Sequence, residues 1–387
     1  MDSFTKPLWK VDNSACGIAG FFNLDKKIVS GKKIVKMICT MRERENGLGA
    51  GFAVYGLFPK FGDYYCIQLI MEEIEGLPPT KERVEEFLKN HVEIFKEEKV
   101  KVNKNVFREY PNVWRFFVYP KDDKVDPDDV IKDVVLKINR KIDGAFCLSS
   151  GKNMAVFKGS GWSYEIAKFY RIEEIKGYMW SAHSRFPTNT PGWWGGAHPF
   201  SILGHAIVHN GEITSYGTNV EYLKELGYTC DLYTDTEVLA YLFDFFVRKS
   251  GYPKNISQQI ACVALSPPYW RDIDRMSPKL RKWFTAIRIT HRRGMANGPF
   301  SIIITTDYPK LAMIGHSDRK KLRPLIAAIS ESGSTFYLAS ELNAIHEVDD
   351  TMNYWQPDPG SAVIATEEGI VKYGQSRDLE ELERLLK

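Results

Sequence analysis

The sequence lacks any run of about 18 consecutive apolar residues, which excludes a transmembrane helix. Residues 1–15 are short, polar and without the apolar stretch of a secretory signal. No CxxC pair occurs, so zinc ribbons, ferredoxin-type clusters and thioredoxin-like redox motifs are disfavoured. HExxH, the phosphate loop GxxxxGK[ST] and the dinucleotide fingerprint GxGxxG are also missing. There is no internal repeat, no low-complexity tract and no long Gly/Ser/Pro linker. Charge of one sign is lacking too. The 52 Lys+Arg nearly cancel the 49 Asp+Glu, leaving +3 and no broad electrostatic footprint for nucleic acid or an anionic membrane.

What is present is an ordinary globular composition, 44% hydrophobic and 26% charged over 387 residues. That is enough to bury a core without disulfides or metal staples. The six cysteines, Cys16, Cys39, Cys66, Cys147, Cys230 and Cys262, are scattered, which reads as reduced thiols and a cytoplasmic home.

Short apolar runs bounded by glycine, Gly17–Asn23 and Gly51–Phe58, read as strands flanking a helix over 32–43. A strand over 64–72 follows. Val84, Phe87, Leu88, His91, Val92 and Phe95 then recur at helical spacing, predicting a helix over 81–95 capped by Thr80. A weak strand near Val106, a strand over 113–119, a helix opened by Asp126-Pro-Asp-Asp and a strand over 144–149 complete a β-α-β-β-α-β order, and a further strand is expected over 154–158. This order fits a small split-βαβ insertion at about 64–150. Further on, helices are expected over 219–226 and 236–248, the second capped by Thr234 or Asp235. A polar helical or loop region fills 250–295, and strands are expected over 300–306, 311–314, 335–339 and 362–366. A terminal helix is expected over 378–386, within a separate C-terminal segment, 376–387. Many strands with a few long helices favour a layered α+β fold.

Four phrases stand apart: Cys16-Gly-Ile-Ala-Gly20, His183-Ser-Arg-Phe-Pro-Thr-Asn-Thr190, Ala197-His-Pro-Phe200 leading to His209-Asn-Gly-Glu-Ile213, and Thr234-Asp-Thr-Glu237. Each has an ordinary reading alone. Cys16 would be a buried thiol, Asn210-Gly211 a hairpin turn, Arg185 a surface charge and Asp235 a helix cap. Four histidines, His183, His198, His205 and His209, crowd one stretch, and His205 and His209 would share a strand face. Acidic ligands at metal spacing are not interleaved with them, so no metal site is expected.

In combination and in this order, the phrases resemble the class II glutamine amidotransferases, N-terminal-nucleophile hydrolases, and within them most nearly the amidotransferase domain of glutamate synthase. His316-Ser-Asp-Arg and Leu338-Ala-Ser-Glu341 resemble the family's later signatures, extending the likeness from Cys16 to about residue 375. The resemblance implies a four-layer αββα sandwich carrying the small α/β insertion. It implies Cys16 as nucleophile, freed by removal of a 1–15 leader so that its own α-amine, ordinarily near pKa ~7.7–8.0, serves as base. Asn210 and Gly211 match the oxyanion hole, Arg185 the clamp on the substrate α-carboxylate, Asp235 the residue taking its ammonium, and Thr188 an added hydroxyl. His198 would stand behind the site.

Two features depart from the family pattern. Arg44 lies one residue out of register with the arginine expected before Ala50-Gly51, so no role falls to it. Asn189 stands where sugar-phosphate-isomerising relatives carry histidine, but it agrees with the glutamate-synthase pattern.

Little chain remains after the signatures for a synthase domain. The implied protein is a glutaminase subunit that converts L-glutamine to glutamate and ammonia. The ammonia would pass to a separate synthase subunit, with 2-oxoglutarate as acceptor and FMN and iron–sulfur clusters on the partner. Another amine acceptor, or a silent scaffold of the same fold, are the alternatives. No cofactor is expected in this chain, no nucleic acid or membrane partner, and an oligomer is left open.

Overall fold

The computed structural model describes residues 16–185 and 192–373. The expected leader, the terminal helix, Thr188 and Asn189 lie outside these residues. Among the described residues no helix is long and apolar enough to cross a membrane.

Two antiparallel sheets form the centre. The first has seven strands in the order Asn353–Trp355, Ile326–Ile329, Thr335–Ala339, Gly17–Asn23, Met179–Ser184, Ala50–Tyr55 and Met154–Gly159. The second has six: Phe200–Ile202, His205–Gly211, Phe300–Thr306, Ala312–Ser317, Ala362–Thr366 and Gly369–Tyr373. Most of these strands are buried on both faces, which explains why they read as continuous apolar runs rather than alternating ones.

The sheets meet face to face through the Gly17–Asn23 and Met179–Ser184 strands on one side and the His205–Gly211 and Phe300–Thr306 strands on the other. Gly20 marks the contact. A Cβ there would lie 3.1 Å from Met313 Cε of the opposite sheet. Residue 21 points the other way, where the Lys33 ammonium sits 5.2 Å from the Phe21 ring centre. Phe52 and Phe157 face each other across adjacent strands, both buried, each contributing about 1.5–3 kcal/mol.

Helices cover both outer faces. Lys32–Thr40 presents Ile34, Val35, Met37 and Ile38 to the first sheet, joined there by Ser163–Phe169 and Leu342–His346. Asp235–Asp244 and Ser257–Leu265 cover the second sheet, the first buried from Thr236 onward and the second along its whole length. The chain thus forms a four-layer αββα sandwich.

A separate four-stranded sheet, ordered Val92–Lys99, Asn112–Pro120, Tyr65–Met71 and Ala145–Ser149, is antiparallel throughout and interleaved with helices Thr80–Lys89 and Pro127–Lys141. Three local expectations fail here. The helix ends at Lys89, and Val92 and Phe95 stand on a strand: Val92 is buried, but Phe95 is exposed and stacks 4.5 Å from Tyr64. The spacing misled because Val92 and Ile94 fit a strand's period of two equally well. Charged Lys96, Glu97 and Glu98 then guard this sheet edge. No strand forms at Val106. Thr80 is the first helical residue rather than the cap, its hydroxyl donating to the Glu72 carbonyl at 2.6 Å. Asp126 does cap its helix, accepting from the Asp128 N–H at 2.9 Å.

Candidate active site

Strand register brings distant phrases together. Gly17 pairs with Ser184, so Cys16 and Arg185 leave the first sheet at the same end, side by side. The His183 Nε2–H donates to the His209 carbonyl at 3.0 Å, pinning the strand that ends in Asn210 and Gly211 over that end. Asp235 opens the helix lying outside that strand, and its carboxylate accepts the Ile213 N–H at 2.9 Å.

Arg185 is 5% exposed. Burial lowers its guanidinium from the ordinary value, while the neighbouring Cys16 and Asp235 oppose that shift. One cation therefore lies within electrostatic reach of both a thiol and a carboxylate. For Asp235, burial pushes the carboxyl up, but the His209 ring and hydrogen bonds from His209, Ile213 and Thr236 outweigh it. The net effect is a value below the usual range, so Asp235 is a carboxylate.

Asn210 and Gly211 do not form a hairpin turn. They are the last residues of the strand, opposite Ser301 and Phe300. Asn210 is 1% exposed, and its Nδ2 meets no acceptor among the described residues, an unused buried donor. Gly211 has φ +142°, and a Cβ there would lie 2.0 Å from the Pro299 carbonyl oxygen.

Behind the site lies a group of imidazoles. His198 stacks on His183 with ring centres 4.0 Å apart. Thr236 Oγ1 lies 3.2 Å from His198 Nε2, 3.1 Å from His209 Nδ1 and 3.2 Å from Asp235 Oδ1. A hydroxyl has one proton, and Asp235 accepts it, so both imidazoles must donate to Thr236. His198 Nδ1, His209 Nε2 and His183 Nδ1 meet no hydrogen-bond partner among the described residues. Desolvation, with Arg185 nearby, holds His183 and His198 well below their ordinary value, so both are neutral. Among the described residues no group of three or more His, Cys, Asp or Glu is placed to hold a metal ion. His205 and His209 do share a strand face, but the shared face meets a helix: His205 Nε2 lies 3.3 Å from Asp244 and His209 beside Asp235.

Sequence reasoning passed over several of these parts. Thr236, His183 and His209 were visible only as members of phrases. The Gly47–Gly51 stretch seats two site residues: the Arg185 N–H donates to the Gly49 carbonyl at 2.9 Å, and a Cβ at Gly51 would lie 2.3 Å from the His198 carbonyl oxygen. Glu237, 2% exposed, accepts from the Leu232 N–H at 3.0 Å and so fixes the turn ahead of Asp235. Arg44 pairs with Glu341, linking that departing stretch to the Leu338-Ala-Ser-Glu phrase.

The sequence pattern described as "Glutamine amidotransferases class-II" matches residues 129–234, a stretch that includes Arg185, His198, Asn210 and Gly211. An uncharacterised protein of Archaeoglobus fulgidus is 42% identical over 91% of this chain and 92% of its own length. A protein of Methanothermobacter thermautotrophicus named a putative glutamine amidotransferase is 27% identical over 90% of this chain and 99% of its own. Neither name specifies an ammonia acceptor. Among solved structures, glutamine phosphoribosylpyrophosphate amidotransferase from B. subtilis overlaps 92% of this chain at 16% identity and a TM-score of 0.47. This chain covers 48% of that one, about half its length. The chain belongs to one family with the A. fulgidus protein, and it carries a class II glutamine amidotransferase domain.

Proposed function

We propose that the chain hydrolyses L-glutamine to glutamate and ammonia through Cys16. The observation that carries the reading is the electrostatic convergence of Cys16, Arg185 and Asp235, three residues from separate elements. Glutamine has one α-carboxylate and one α-ammonium, and this pocket offers one guanidinium and one carboxylate beside a thiol.

In this reading residues 1–15 are removed, and the freed α-amine of Cys16 takes the thiol proton. The sulfur attacks the side-chain amide carbon, and the oxyanion is held by Asn210 Nδ2 and the Gly211 N–H. Collapse breaks the C–N bond. The leaving nitrogen takes the proton back and departs as ammonia, leaving a thioester. Water then cleaves the thioester, giving glutamate and the free thiol. The imidazoles are given no proton transfer in these steps; through Thr236, His198 and His209 orient Asp235. Thr188 belongs to the proposal on its motif alone.

The ammonia is read as passing to a synthase site on a partner subunit. Glutamate synthase, with 2-oxoglutarate as acceptor and flavin and iron–sulfur clusters on the partner, is supported by the His183–Thr190 and Ala197–Phe200 phrases. Those phrases are local, so another amine acceptor is the competing reading.

The test is ammonia release from glutamine by wild type and Cys16→Ala, with the mass of the mature N-terminus. Release that depends on Cys16, from a chain beginning at Cys16, supports the reading. Equal rates in both proteins, or full activity with Met1 retained, would overturn it.

A further inference from the structure

The His205–Gly211 strand carries the candidate oxyanion residues at one end. Its other end, about 20 Å away by strand rise, opens on a different cavity of about 210 Å³. This cavity lies where the four-stranded module meets the second sheet, with Tyr65 and Asp128 from the former and Leu203, Gly204, Asp307 and Tyr308 from the latter.

Its walls are built from strained and buried parts. Leu203 sits in the two-residue turn between Phe200–Ile202 and His205–Gly211 with φ +51°, a left-handed conformation uncommon for leucine. Gly204 is forced, because a Cβ there would lie 1.6 Å from Asp307 Oδ1. Arg248 comes from a π-helical turn at 245–249, a local irregularity frequent at functional sites.

Most of the charges are already matched. Arg248 donates to Asp244 at 2.6 and 3.0 Å and to Asp129 at 3.3 Å. His205 is held by Thr306 at 2.7 Å and Asp244 at 3.3 Å. Tyr65 donates to one oxygen of Asp128 at 2.6 Å. Two groups are left over. Among the described residues no side chain hydrogen-bonds or pairs with the Asp307 carboxylate, and burial holds it up to about 6. Lys152 rests its ammonium 4.6 Å from the Tyr65 ring centre and makes no ion pair among the described residues, although it acts electrostatically on Asp307. A carboxylate and an ammonium thus line one small cavity without closing an ion pair on each other, which offers a ligand of both charges one partner for each.

We propose that this cavity binds a small zwitterion of the α-amino acid class, its ammonium on Asp307 and its carboxylate on Lys152. The free oxygen of Asp128 adds a second acceptor for the ammonium. The site is distinct from the one holding Cys16, and ligand bound there would tie the four-stranded module to the strand that carries Asn210.

The experiment removes the first site to read the second. In Arg185→Ala protein, L-glutamate and L-alanine are titrated and thermal unfolding is followed. At least one should raise the midpoint by on the order of 2 °C at tenfold excess over its dissociation constant. Adding Lys152→Met, at a half-exposed position safe for folding, should abolish the rise, and so should Asp307→Asn. Glycinamide and propionate, each with one charge only, should give none. A rise that survives both substitutions, a full rise from either single-charge probe, or no rise with either amino acid would overturn the proposal. Failure of the glutaminase reading would show instead as undiminished glutamine turnover in Arg185→Ala, which leaves the Lys152 comparison readable.

Discussion

The Pro299 carbonyl oxygen occupies the place where a side chain at Gly211 would begin: a Cβ on residue 211 would stand 2.0 Å from it, at a backbone φ of +142°. The same carbonyl accepts the Glu212 N–H at 2.9 Å, so it cannot swing away without giving up that bond. Gly211→Ala is therefore expected to lose about 2 kcal/mol or more of stability, from backbone strain and steric displacement together. Denaturant unfolding measures it, and a wild-type midpoint would show that the 298–300 turn yields freely.

Asn210→Ala should behave in the opposite way. The Asn210 Nδ2 makes no bond to an acceptor among the described residues, so deleting it gives up no hydrogen bond to them. Stability should change by less than about 1 kcal/mol. If the amide is the oxyanion donor, kcat for glutamine hydrolysis should fall by about 10²–10³ with KM nearly unchanged, because the lost bond exists only in the transition state. A large KM change with intact kcat would instead assign Asn210 to ground-state binding.

Thr236 is the one hydroxyl shared by His198, His209 and Asp235. Thr236→Val keeps the shape but leaves two buried imidazole N–H groups without their acceptor, at a cost of about 1–3 kcal/mol for each unsatisfied group. Asp235 would also lose one of its orienting donors, so KM for glutamine should rise about tenfold, on the reading that Asp235 takes the ammonium. Thr236→Ser, which restores the hydroxyl, should recover most of both effects. A rescue of stability without KM would make the cluster structural only.

The sandwich could be read from the sequence because its strands are doubly buried: Gly17–Asn23, Phe300–Thr306 and Thr335–Ala339 are apolar runs bounded by turn residues, and burial on both faces leaves no second period to confuse them. The 81–95 stretch was misread because Val92 fits a helix with Leu88 and Phe95 as well as a strand with Ile94, and only the pairing of Ile94 with Val118 decides between them. The candidate site residues Cys16, Arg185, Asn210, Gly211 and Asp235 were singled out through short phrases. Their supports were not, since a hydroxyl shared by two rings or a glycine pressed under His198 depends on chain segments far apart. The second cavity was illegible for the same reason. Lys152 and Asp307 belong to no motif, and only the fold sets them across one space.

The Asp307 carboxyl makes that cavity visible in stability against pH. Burial raises it from an ordinary 3.8 to about 6, so the folded state keeps this proton where the unfolded chain has lost it. Its contribution is fully present below pH ~4 and is lost as pH rises toward 6. Above that, the ionised buried carboxylate is a standing penalty. Asp307→Asn carries no such penalty, so its stability relative to wild type should climb between pH 4 and 6 and then stay level, by about 1–3 kcal/mol. Urea unfolding at pH 4, 5, 6 and 7 reads the difference, and a constant gap would put the carboxyl back in its usual range. An ammonium bound beside Asp307 would stabilise its ionised form, so saturating α-amino acid at pH 7 should narrow the gap. A gap unchanged by ligand would separate the carboxyl's strain from any binding role.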